Sequence, residues 1–141
     1  MTSLSDHPET QRLWNEAVVQ FNAQEFFACH DLLEEIWSEA DEREREFYQG
    51  LIHAAVSLFH FGEANWSGAR KMYHTTLKYL EPYLALSDLP QPLALQQFYD
   101  DYRICFAELA AAKKGEYPTE IRLNPGLIPR WRMAQNLMPK P

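Results

Sequence analysis

Apolar residues recur at three- and four-residue spacing along most of the chain, which predicts helices. Leu13, Trp14, Ala17, Val18 and Phe21 form one stripe, giving a first helix over 8–22 with Pro8 in its first turn. Phe26, Cys29, Leu32, Leu33, Ile36 and Trp37 form the apolar arc of a second helix over 24–40. Residues 47–61 (FYQGLIHAAVSLFHF) are apolar nearly all the way round, so this third helix is expected to be the least exposed. Asp41 and Glu44 have the spacing of a capping box before it. Gly62 is expected to end it as a left-handed residue. Asn65 reads as the N-cap of a fourth helix over 66–80, stopped by Glu81-Pro82.

A proline-punctuated connection, 82–92, leads to a fifth helix over 93–114, ended by Gly115. The segment 117–141 carries five prolines, and long regular structure is not expected there. Leu123, Leu127, Ile128 and Trp131 suggest that it packs on the body, with a short helix near 131–137. No segment alternates like a strand, and no exact internal repeat is visible. The rhythm of 43–80 resembles one tetratricopeptide unit, but one unit is not an array. The expected fold is an all-α, single-domain bundle of about five helices over 1–141, with a family-like core at 22–81, a C-terminal helix at 93–114 and a proline-rich tail packed on the body.

Polar residues break the apolar pattern on two helices. On the third helix Gln49, His53, Val56 and His60 fall within roughly 60° of each other. On the second, His30 and Glu34 sit four apart at the edge of the apolar arc, flanked by Phe27 and Trp37. Glu34 is therefore expected to be shielded while Glu35 is solvated. Buried polar groups need partners, and a constellation of His30, Glu34, Trp37, Gln49, His53, His60 and Asn65 is the expected answer, with His30, His53 or His60 as the partner of Glu34. Gln49 would bond a helix end or His30, and Gly50 would permit close crossing against the second helix.

Three stretches carry a resemblance: Phe27 to Trp37 (FACHDLLEEIW), Tyr48 to Ala55 (YQGLIHAA), and His60 leading to Asn65-Trp66-Ser67-Gly68-Ala69. Together they resemble the family called domain of unknown function 309. Its pattern is a His-x-x-Leu-Glu-x-x-Trp helix, a Gln-Gly-Leu-Ile helix and an Asn-x-x-Gly-Ala helix start. Asp31 departs from it, since the family more often has Glu there. The resemblance implies a small all-helical array and no agreed activity. It marks His30, Glu34, Trp37, Gln49, Gly50, His53, His60, Asn65 and Gly68 as positions of interest.

His30 and Glu34 allow three readings: an ion pair fixing helix packing, two metal ligands completed by His53, or an acid–base pair. The last two would make a metal-binding or hydrolase-like pocket between the second and third helices, with a divalent ion such as zinc as cofactor. The absence of His-Glu-x-x-His, paired cysteines, Gly-x-Ser-x-Gly or a phosphate loop favours an interaction or scaffold module over an enzyme.

Composition changes this picture little. The net charge of −7 argues against nucleic-acid binding. It is uneven: residues 1–112 hold eighteen acidic and seven basic side chains, and residues 113–141 two and six. No run approaches the ~20 apolar residues of a membrane span, and the N-terminal residues lack a signal-peptide pattern. Cys29 and Cys105, both at apolar helical positions, read as reduced core thiols of a cytoplasmic protein. A protein partner or a second copy is compatible with all of this, and no small-molecule ligand is indicated.

Overall fold

The computed structural model describes residues 7–113 and 121–134. Six helices follow one another: α1 (Pro8–Asn22), α2 (Phe26–Glu39), α3 (Glu42–Gly62), α4 (Trp66–Leu80), α5 (Leu95–Cys105) and α6 (Ala107–Ala111). The fold is an all-α bundle. No strand forms among the described residues, and Leu93 and Met133 make an isolated antiparallel bridge. No helix among them is long and apolar enough to cross a membrane.

The first four helices form two hairpins with matching turns. α1 passes to α2 through Gln24 at φ 65°, and α3 passes to α4 through Ala64 at φ 58°. Each turn closes with a bond across six residues, Glu25 N–H to the Gln20 carbonyl and Asn65 N–H to the His60 carbonyl, both 2.8 Å. The left-handed residue after α3 is thus Ala64, not Gly62, which remains inside the helix. Asp41 caps α3 through the Glu44 N–H at 3.1 Å, and Asn65 caps α4 through the Gly68 N–H at 3.2 Å, as expected.

α3 packs between α2 and α4 and supplies much of the core. Phe47, Tyr48, Leu51, Ala54, Ala55 and Leu58 are fully covered. It is not covered on all sides, however: Phe59 reaches water and the Gln49, His53, Val56 and His60 stripe is only half-buried. Gly50 faces α4 rather than α2: a β-carbon there would lie 2.6 Å from Leu80 Cδ2 and 3.2 Å from Tyr79 Cβ. The close crossing is real, but its partner is the fourth helix.

The buried polar pairs are not the ones expected. The Ser57 hydroxyl lies 2.6 Å from the Tyr102 hydroxyl and donates to the Ala54 carbonyl at 2.7 Å. The Gln91 amide donates to the Tyr48 hydroxyl at 3.0 Å. Burial raises the Tyr102 pKa well above the usual tyrosine range. Both pairs link α3 to the C-terminal half and satisfy buried hydroxyls that would otherwise cost stability.

The fifth helix is shorter than expected. Leu93 and Ala94 are occupied by the tail, since the Ala94 N–H donates to the Arg132 carbonyl at 2.8 Å. The helix then breaks at Phe106, whose ring turns into the core against Phe61, Tyr73 and Tyr102. Residues 131–134 are not helical. Positions 135–137 of the expected last helix, Gly115, and tail residues 117–120 and 138–141 lie outside the described residues. In the described part, Trp131 is buried, stacked on Phe21 at 3.9 Å and on Trp14 at 5.7 Å. The Asn22 side chain accepts from the Trp131 N–H at 2.8 Å and donates to its carbonyl at 2.9 Å.

Candidate functional site

The candidate residues separate into local groups along α2, α3 and the α3–α4 turn. On α2, His30 Nε2 lies 3.0 Å from a Glu34 oxygen and Nδ1 3.3 Å from an Asp31 oxygen. Nδ1 is also 3.3 Å from the Phe27 carbonyl. The imidazole is largely covered, but the Glu34 side chain is 53% exposed. The expected shielding of Glu34 is therefore wrong, for a physical reason. The buried stripe of α2 is narrow, Phe26, Cys29, Leu33 and Ile36, and the two supposed walls fail. Phe27 is itself 57% exposed, and Trp37 is half-buried under the Arg45 guanidinium, 4.3 Å from the ring centre. An exposed pair of this kind contributes only about 0–1 kcal/mol.

On α3, His53 lies on the α4 side. Its ring stacks on Tyr79 at 5.4 Å and 6°, as its place one turn beyond Gly50 requires. Nδ1 is 2.9 Å from the Gln49 carbonyl, which favours the proton on that nitrogen, and the Gln49 amide is 3.4 Å away. Gln49 thus meets His53 and not His30. Desolvation lowers the His53 pKa below the usual histidine range, and the Gln49 carbonyl partly opposes this. At the end of α3, His60 Nδ1 lies 3.2 Å from the Asn65 amide nitrogen, so His60 and Asn65 belong to the turn.

His30, Glu34 and His53 are therefore not brought together. Among the described residues the group that could approach an ion is His30, Asp31 and Glu34, with ligand atoms within 4.8 Å of one another. Its geometry fits an ion poorly, because the two carboxylates address different nitrogens of one ring and a metal takes only one. A cleft of about 490 Å³ lies elsewhere, between α1, α5 and the tail, lined by Asn22, Asp101, Ile104, Leu127 and Arg130.

What sequence reasoning missed is an exposed aromatic pair. Phe27 on α2 and Phe59 on α3 meet at the open end of the seam between the two helices, with ring centres 5.6 Å apart and planes tilted by 57°. Phe59 is 36% exposed. Phe27 also touches His30 at 5.1 Å, and Phe59 touches His60 at 6.0 Å. The available signal was Phe27, which falls outside the buried stripe of its own helix.

This pair, together with the motif residues His30, Trp37, Gln49, His53, His60 and Asn65, lies in one continuous stretch of sequence. Residues 14–72 match the family model described as "Domain of unknown function (DUF309)". The DUF309 match begins inside α1 and ends inside α4, so it covers all of α2 and α3 and part of each flanking helix. The chain is also similar to an uncharacterized protein, YpuF, of Bacillus subtilis (strain 168). The two are 33% identical over 75 residues, which is 51% of this chain and 43% of that protein. An uncharacterized protein of Aquifex aeolicus (strain VF5) is 39% identical over 54 residues, 38% of this chain and 16% of that protein. The chain thus spans less than half the length of these relatives. No solved structure gives a significant match.

Proposed function

We propose that this protein is a cytoplasmic helical interaction module, a single domain over 1–141, whose docking face is the open end of the α2–α3 seam. The observation that carries the reading is the Phe27–Phe59 pair, two large rings in mutual contact and facing water. Exposed aromatics that touch each other are the chemistry of binding hot spots. The DUF309 stretch contains both rings. In the Aquifex relative the similar segment is a small part of a longer chain, as an accessory docking unit would be. A hydrolase-like or metal-dependent reading has less support, since the titratable groups are bonded locally on separate helices. The net charge of −7 disfavours nucleic acid as the partner, and two free buried thiols suit the cytoplasm.

Site-specific photo-cross-linking in the producing cell tests the reading. A photoreactive side chain at position 27 or 59 is expected to give a discrete protein adduct, while the same group at exposed Lys71 on α4 gives none. Failure at both 27 and 59 overturns it.

A further inference from the structure

The two ends of the α2–α3 seam carry related chemistry. At the closed end, the Arg45 guanidinium of α3 lies over the Trp37 ring of α2, 4.3 Å from its centre. This is a cation–π pair made within the chain. At the open end, the tilted Phe27–Phe59 pair is exposed to water. From Phe27 the surface continues over His30 to two carboxylates, Asp31 and Glu34, whose side chains are 63% and 53% exposed. Each meets His30 through one oxygen, and each also reaches water. An apolar floor thus leads across His30 to a negative rim.

A long cationic side chain matches that layout: its methylene stem covers apolar surface while its head reaches polar groups at the edge. Resting on the interaction reading above, we propose that the partner presents a lysine- or arginine-bearing segment to this face. The stem lies on Phe27 and Phe59, and the charged head lies at Asp31 and Glu34. Charge complementarity selects this occupant over a second copy of the chain. A second copy would offer the same carboxylate rim and a body whose residues 1–112 are strongly acidic, not a cationic complement.

The test uses the full chain and three synthetic peptides with the same leucine pattern. One bears lysine, one glutamine and one glutamate at the remaining positions. Proton NMR follows the Phe27, Phe59 and His30 rings. The lysine peptide is expected to shift all three rings saturably and to bind about tenfold more tightly than the glutamine peptide. Raising the salt concentration should erode the difference. The glutamate peptide should bind least. Asp31→Asn with Glu34→Gln should bring the lysine and glutamine peptides level, and apart from the His30 ring, which both carboxylates contact, the variant's spectrum should match the parent's. Equal binding of the lysine and glutamine peptides to the parent protein overturns the cationic partner. So does a lysine peptide that leaves Phe27 and Phe59 unshifted. Neither result touches the interaction reading, which the adducts at positions 27 and 59 judge separately.

Discussion

Trp131→Ala is expected to lower the unfolding free energy by about 3–5 kcal/mol, the cost of emptying a well-packed aromatic site. The indole is 2% exposed. It is stacked between Phe21 and Trp14, with the edge of Phe98 at 6.0 Å. It holds the described part of the C-terminal segment to α1 and to Leu93, far from it in sequence. Its truncation therefore opens a cavity and also loosens the Asn22 clamp and the Leu93–Met133 bridge. Trp131→Phe should cost much less, because a ring remains and a buried indole N–H with no hydrogen-bond partner is removed. Urea unfolding followed by circular dichroism measures both. A Trp131→Ala loss under about 1 kcal/mol would show that the segment is not part of the folded body.

Gly50→Ala comes next in expected effect, with a loss of about 1–3 kcal/mol from overpacking. The added methyl would lie 2.6 and 2.8 Å from Leu80 Cδ2 and Cγ, and Leu80 is fully covered, with nowhere to retreat. This outweighs the ~0.5–1 kcal/mol that alanine normally gains over glycine inside a helix. Gly68→Ala is the comparison. Its new methyl would lie 2.8 Å from the Asn65 side chain, and Asn65 is exposed and can rotate away at the cost of its cap. Gly50→Ala should unfold at clearly lower urea than Gly68→Ala. The reverse order would show that α3 and α4 are not in close contact at Gly50.

The helices were legible because their signals are local. The Asp41 and Asn65 caps, the Pro8 start and the α4 stripe each depend on residues within one or two turns, and all appear where the pattern put them. What failed depended on tertiary partners. The break at Phe106 arises because its ring finds Phe61 and Tyr73, which no periodicity within α5 encodes. The early part of the fifth helix was lost to pairing with residues 132–134. Gly62 looked like a helix terminator, but a matching six-residue bond in both hairpins put the left-handed residue at Ala64.

The site was legible only as a collection of residues. A helical wheel places His53 on the polar stripe of α3 but cannot say whether α2 or α4 lies against it, and the Gly50–Leu80 contact decides for α4. Glu34 was judged from its neighbours in sequence, Phe27 and Trp37. One of them turned out to face water and the other to lie under an arginine from the next helix. The same failure hid the Phe27–Phe59 pair, because an aromatic residue in an apolar run reads as core until the rest of the fold shows that nothing covers it.

If Phe27 serves a partner and not the fold, urea unfolding of Phe27→Ser, run beside Trp131→Ala as the example of a structural aromatic, should show a change in unfolding free energy of less than about 1 kcal/mol, as for a surface position. A loss of about 3 kcal/mol or more, the range of a core aromatic truncation, would contradict it and return Phe27 to the core.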